Sequence, residues 1–274
     1  MAQNVAPTLH KKRRLSKQER KSALIAYSFL APNFLGFLVF TLVPVLFSIA
    51  LRNTVVYTAV TVPLTIACSL ALAMVLNRAA RTAKFLRVVF FFPYVASVVA
   101  VCTCWSYLLM KFGPINQALS LVGVNIGKSW TQSKDHAILA IIIVSVWRSA
   151  GYYMVMYLAG LQGVPRELYE AATVDGATGW QRFWKVTFPM LTPTTFFVSI
   201  MMVISCFKIY DLVAIMTEGG PGRATLMLVY HIYTLSFTQI KYGVASAVAM
   251  VLFAIVLCVT IIQFRAEKKW VNYM

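Results

Sequence analysis

Residues 167 to 189 read ELYEAATVDGATGWQRFWKVTFP, from Glu167 to Pro189. The 274-residue chain holds only eight acidic side chains, and Glu167, Glu170 and Asp175 gather here, between long apolar runs. Pro165 suits the first turn of a helix, where its missing N–H would lack a partner anyway. Glu167 and Glu170 follow where the helix dipole favours anions. Leu168, Ala171, Ala172 and Asp175 continue the helix, and Gly176 is placed to end it in a left-handed cap. A second short helix then offers Trp180, Phe183, Trp184 and Phe188 at spacings of three and four, with Arg182 and Lys185 beside them. That is an interfacial amphipathic pattern. Pro189 and Pro193 mark entry into the next apolar run. The segment therefore reads as a helix–turn–helix lying against a membrane. Ala171, Ala172 and Gly176 leave its surface open to close approach by another body. An ordinary amphipathic loop is the other reading of the same residues.

The rest of the chain supports the membrane half of that reading. Hydrophobic residues make up 60% and charged residues 12%, against about 25% charged in a soluble domain. A span needs about 20 apolar residues, and six runs qualify: 24–50, 54–76, 86–110, 137–161, 188–216 and 243–264. The net charge of +17 could suggest nucleic-acid binding, but its placement excludes that. Lys11, Lys12, Arg13, Arg14, Lys17, Arg20 and Lys21 precede the first run. Arg78, Arg81, Lys84 and Arg87 join runs two and three. Arg166, Arg182 and Lys185 join four and five, and Arg265, Lys268 and Lys269 follow the sixth. These seventeen share one side, against six on the other: Arg52, Lys111, Lys128, Lys134, Arg223 and Lys241. Such an asymmetry puts both termini in the cytoplasm of a multi-pass cell-membrane protein. The first run is too long for the apolar region of a signal peptide and lacks a small-residue cleavage site. The expected organisation is a basic cytoplasmic segment at 1–22, a transmembrane domain at 23–264 with a cytoplasmic loop at 162–187, and a tail at 265–274.

Several local features ask for a decision. Cys68, Cys102, Cys104, Cys206 and Cys258 all fall inside the expected spans, without zinc or redox spacing, and read as small apolar fillers. Gly127-Lys128-Ser129 resembles the end of a P-loop, but that motif needs glycine where Val122 stands. The chain is therefore not expected to hydrolyse ATP. Lys208 and Asp211 are three apart and can pair on one helix face, either as a structural ion pair or as a gate. Arg148 lies within a span, where charges face a bundle interior or a cavity. His136 and His231 have no partners at metal spacing and are expected to be solvated. Runs one and two are joined by little more than Leu51-Arg52-Asn53. Either the hairpin is unusually tight or an external loop is absent from this sequence.

Glu170-Ala171-Ala172, three residues, Gly176, nine residues, then Val186-Thr187-Phe188-Pro189 resembles the EAA loop of ABC importer permeases. Val186 and Phe188 stand where the usual pattern has Ile and Leu. The stretch TEGGPGRATLMLVYHIYTLSFTQIKYGVASAVAMVLF, Thr217 to Phe253, is similar to carbohydrate-type permeases: Gly-Gly-Pro after the fifth run, a Tyr-rich segment, then Tyr-Gly-x-Ala-Ser-Ala. APNFLGFLVFTLVPVLFSI and LRNTVVYTAVTVPLTIACSLALAMVLN carry the likeness over nearly the whole chain. It departs between Ser48 and Leu51, where family members have an external loop, which favours a missing segment over a tight turn.

The resemblance implies an all-α membrane protein of about six transmembrane helices with a cytoplasmic EAA coupling-helix loop, the type I ABC importer permease fold. It implies a permease subunit for a sugar or oligosaccharide that forms half of the translocation pathway. The partners implied are a second permease subunit, two ATPase subunits that carry ATP and Mg, an extracytoplasmic solute-binding protein and the lipid membrane, with no nucleic acid. No cofactor or metal is expected in this chain. Glu167, Glu170, Ala171, Ala172, Asp175 and Gly176 would couple to the ATPase, and their acids would explain a negative patch on a basic surface. Sugar would be met on the spans before and after the loop, by Ser149 and Tyr152 and by Met202, Ser205, Cys206 and Ile209. Packing against the partner permease is the other reading of that face. The competing class is an ion-gradient transporter or channel, which would need intramembrane acids. Asp211 alone is so placed.

Overall fold

The computed structural model describes residues 48–78, 83–123 and 127–271, with Val45 and a few isolated helical positions between 18 and 36. The chain divides into two units, Met1–Pro44 and Val45–Met274. Within the first, the described positions from Gln18 to Gly36 are helical. Most of the N-terminal basic run, the expected first span at 24–50 and the join at 79–82 lie outside the described residues.

In the second unit the described residues build only helices and turns. The helices are α1 (Ile49–Arg78), α2 (Ala83–Val95), α3 (Val98–Leu108), α4 (Pro114–Leu121), α5 (Ala137–Gln162), α6 (Arg166–Val174), α7 (Gly179–Met190), α8 (Thr192–Phe207), α9 (Asp211–Met216), α10 (Leu228–Tyr233) and α11 (Tyr242–Trp270). Three of these are long and apolar enough to cross a membrane as single helices: α1, α5 and α11. Two bent pairs, α2 with α3 and α7 with α8, bring the number to as many as five among the described residues.

Those bends correct two expected spans. The run 86–110 is not one helix. It turns by 95° between α2 and α3, because Ser97 adopts φ −52° and ψ 125°, outside the helical region, and Pro93 cannot donate a hydrogen bond in the preceding turn. The run 188–216 bends by 65° at Leu191 and ends at Phe207, with α9 a separate helix. Upstream of that bend, Phe183–Thr187 is a π turn, in which the Phe188 N–H reaches the Phe183 carbonyl. The wider turn, followed by Pro189, absorbs a residue that an α-helix has no room for.

At Leu51-Arg52-Asn53 the structure rules out the tight hairpin, the less favoured of the two readings. No turn exists there, because α1 is helical from Ile49 onward. Its first turns instead hold the segment that leads into α10. Asn53 Nδ2 donates to the carbonyls of Arg223 and Leu226, at 2.9 and 3.2 Å. Thr54 Oγ1 accepts from the Leu228 N–H at 3.0 Å.

Helix α5 is the hub, packed along α1 and against α2 and α8. Ile141, Val144, Met154 and Tyr157 are fully or almost fully buried. A methyl group at Gly151 would collide with the Phe90 carbonyl of α2, and one at Gly160 would press on Thr194 of α8. Glycine at these two positions lets backbones meet, the usual device where lipid removes the hydrophobic drive between helices. On α1 the hydroxyls Thr54, Thr58, Thr61, Thr65 and Ser69 recur at helical spacing and are all buried. In contrast, α11 buries only 17% of its most apolar stretch, as suits a helix turned toward lipid or another subunit.

Candidate functional site: a helix–turn–helix and a mid-span cavity

The Glu167–Pro189 segment folds as a helix, a turn and a second helix. Pro165 sits one residue earlier than expected, at the N-cap of α6, and Glu167 lies in the first turn. The helix ends by a paired C-terminal lock. The Gly176 N–H bonds to the Thr173 carbonyl at 3.1 Å and the Ala177 N–H to the Ala172 carbonyl at 2.9 Å, with Gly176 at φ +72°. This is the Schellman arrangement that the glycine foretold. Thr178 then opens α7 through a reciprocal capping box with Gln181, satisfying donors that a helix start leaves orphaned.

Two side-chain bonds tie the halves together: Tyr169 Oη with Thr187 Oγ1 at 3.2 Å, and Arg182 Nη1 to Thr173 Oγ1 at 3.1 Å. The aromatic residues of α7 do gather. Trp184 lies 5.7 Å from Trp180, 5.1 Å from Phe183 and 5.2 Å from Phe188 between ring centroids. They gather across the π turn rather than along a regular α face. No residue of α6 is buried. Glu167, Glu170, Ala171, Asp175 and Gly176 are exposed and Ala172 is half-buried. Val174 is 88% and Trp180 71% exposed. Beside them Ala171, Ala172, Asp175, Gly176, Arg182 and Lys185 line a groove of about 450 Å³.

About thirteen residues up α5 from its end at Gln162, or roughly 20 Å at 1.5 Å per residue, a second concavity opens, of about 370 Å³. Of the residues named for the solute path, Ser149, Met202, Ser205, Cys206 and Ile209 line it. Tyr152 does not. Its ring stacks on Tyr94 at 4.3 Å between centroids, and Tyr153, one position and about 100° around the helix, takes the cavity wall. The structure adds Tyr57, Thr61, Tyr94, Ser145 and Tyr210. Tyr57 Oη and Ser145 Oγ bond at 2.7 Å across α1 and α5. The regular hydroxyls on α1 were a legible signal for that wall; Tyr94, just before a helix break, had none.

Charge enters this cavity from three helices. Arg148 projects from the middle of α5, its guanidinium carbon 5.8 Å from the Tyr94 ring centroid, close enough for a cation–π contact. The Arg148 Nε is buried and has no hydrogen-bond partner. Lys208 and Asp211 also line the cavity, but not as one helix face. Lys208 closes α8 and Asp211 opens α9, with a break between them, and among the described residues neither forms an ion pair.

Residues 64–272 match the family described as the binding-protein-dependent transport system inner membrane component. The chain belongs to this family. It is 33% identical over 294 residues to the Probable ABC transporter permease protein YesP of Bacillus subtilis (strain 168), covering 94% of this chain and 95% of that one. That alignment is longer than the 274 residues present here, so the relative holds residues that this chain lacks. The Lactose transport system permease protein LacF of Rhizobium radiobacter is 36% identical, over 80% of this chain and 76% of that one. Among solved structures, the crystal structure of bacterial alginate ABC transporter in complex with alginate pentasaccharide-bound periplasmic protein contains a chain with the same fold. The TM-score is 0.72 at 20% identity, over 92% of this chain and 96% of that one.

As an inner membrane component of an ABC transport system, the protein is an all-helical, multi-pass permease subunit, which removes the ion-gradient transporter reading. The Gly127-Lys128-Ser129 segment fits a loop and not a phosphate cradle. It leads into a single 3₁₀ turn, Trp130–Gln132, and its Lys128 carbonyl accepts from Asn116 Nδ2 at 3.1 Å. The histidines are less solvated than expected. His136 bonds Ser133 Oγ at 3.0 Å and packs 5.7 Å from the Trp130 ring. His231 is half-buried, and burial, with Arg223 nearby, holds its imidazole below the ordinary value.

Proposed function

We propose that this permease imports a carbohydrate, and that α6 couples it to ATP hydrolysed, with Mg, on partner ATPase subunits. One observation carries the coupling role. Helix α6 presents Glu167, Glu170 and Asp175 to its surroundings and buries nothing, while its end and rear are fixed by the Gly176 lock and the bonds to Thr187 and Arg182. A rigid, exposed acidic helix with bare Leu168 and Val174 is built to be covered. The occupant that suits it is a basic groove, since charge complementarity sets register and partner choice.

The groove beside α6 and the cavity along α5 and α8 give the two ends of a transport mechanism. Partner ATPases push and pull on α6; the motion passes into α5, which directly precedes it in the chain, and into α8 through α7. The solute meets Ser149, Tyr153, Ser205 and their neighbours. Aromatic faces with hydroxyl edges suit a sugar, and the lactose and alginate systems among the similar proteins point the same way. A second, homologous permease would close the other half of the path, an extracytoplasmic binding protein would deliver the solute, and both termini would be cytoplasmic.

The test is assembly and turnover of the purified complex with Glu170→Lys. Reversing that charge should lower ATPase co-purification and binding-protein-stimulated hydrolysis at least tenfold, the equivalent of about 1.4 kcal/mol. Normal assembly and hydrolysis would remove α6 from the coupling role. A panel of sugars against the binding protein tests the substrate class.

A further inference from the structure

We infer that the solute is an anionic carbohydrate, a sugar bearing a carboxylate or a phosphate, held at its charged group by Arg148. The inference rests on the cavity being the solute path.

Two cations, Arg148 and Lys208, and one carboxylate, Asp211, face the same space. The cavity therefore carries a positive excess. Among the described residues none of the three is neutralised by an ion pair. Arg148 stands near the middle of a 26-residue apolar helix, where a cation is costly and needs a purpose. Its own contacts leave it unsatisfied: the Tyr94 ring lies against the guanidinium, and Nε is buried with no hydrogen-bond partner. A guanidinium is always charged and offers five donors in a planar fork that matches carboxylate and phosphate oxygens. A neutral sugar can accept from that fork through its hydroxyls but brings no charge to match it, and the charge-matched bidentate pair is the stronger one. Hydroxyls and aromatic faces are enough to hold one, and Tyr57, Tyr153, Ser149 and Ser205 already supply them.

The remaining charges refine this. Lys208, exposed at the end of α8, adds a second cation, on a flexible stem, for an anion moving through. Asp211 opposes a tight trap, and a path needs binding weak enough to release.

The experiment uses the complete complex, with both permeases, the ATPases and the binding protein, reconstituted in liposomes. ATP-driven uptake is compared for digalacturonate, a neutral galactose disaccharide and glucose 6-phosphate. Uptake of an acidic probe at least tenfold above the neutral one supports the inference, and the probe preferred separates carboxylate from phosphate. In the same assay Arg148→Gln should raise the half-saturating concentration of the acidic probe at least tenfold, Lys208→Gln less, and Arg148→Lys should recover part of the loss. Lys208→Gln keeps the test intact if Arg148→Gln fails to assemble. Equal or better uptake of the neutral disaccharide, or an unchanged response in both glutamine variants, overturns the inference and leaves the carbohydrate permease standing. ATP-dependent uptake of none of the three probes removes the carbohydrate reading and this inference together.

Discussion

Gly176 and Tyr153 show how far single residues can be read. Gly176 was legible because a glycine nine residues into an acidic, small-residue helix has one common use, and the structure has it at φ +72° closing both terminal bonds. Open space surrounds its missing Cβ, so Gly176→Ala should cost only the strain of a left-handed alanine, roughly 1–2 kcal/mol. Partial loss of transport-coupled ATPase activity, with normal protein levels, would register it. Tyr153 was missed by one position. Periodicity places a face within about a residue, and adjacent tyrosines at 152 and 153 leave the choice to packing: Tyr152 is taken by its stack on Tyr94. Tyr153→Ala should reduce uptake about tenfold, a loss near 1.4 kcal/mol. Tyr152→Phe, which keeps the stack, should stay within about twofold, less than 0.5 kcal/mol by the same conversion. Initial uptake rates in vesicles decide between the two tyrosines.

At the scale of elements, straight apolar helices were legible and broken ones were not. The runs behind α1, α5 and α11 gave their positions to within a few residues, since some 20 apolar residues in a row leave few alternatives. Hydrophobicity says nothing about direction, so the 95° turn at Ser97 and the 65° bend at Leu191 were invisible in it. Pro93, Pro189 and Pro193 were the available hints. The π turn at Phe183–Thr187 is likewise silent in a pattern tuned to 3.6 residues per turn. Close approach of elements can be tested at Gly151. A methyl group there would meet only backbone, the Phe90 carbonyl and the Phe91 nitrogen, and backbone cannot step aside as a side chain can. Gly151→Ala should therefore part α2 from α5 and destabilise the protein by roughly 1–3 kcal/mol, seen as a lower unfolding temperature in detergent. An unchanged temperature would mean that the two helices do not touch there.

For the molecule as a whole, the proposed function rests on two separated places joined by α5: a charged cavity at mid-span and an exposed acidic helix roughly 20 Å along it. The helix was legible because its residues break the composition of everything around them. The cavity was half legible. Residues on α8 followed from spacing, whereas Arg148, Lys208 and Asp211 announced themselves as charges in apolar runs but not as neighbours, since only the helix breaks bring them together. The central claim is that α6 lies on the cytoplasmic side beneath an ATPase subunit. Val174, 88% exposed on α6, reports on both parts of it. The decisive measurement is labelling of Val174→Cys, in a chain whose own five cysteines are replaced, by a membrane-impermeant thiol reagent. The account predicts labelling in inside-out vesicles that lack the ATPase subunits and protection once they are bound. Labelling from the outer side of sealed right-side-out vesicles, or labelling that the ATPase subunits leave unchanged, would contradict it.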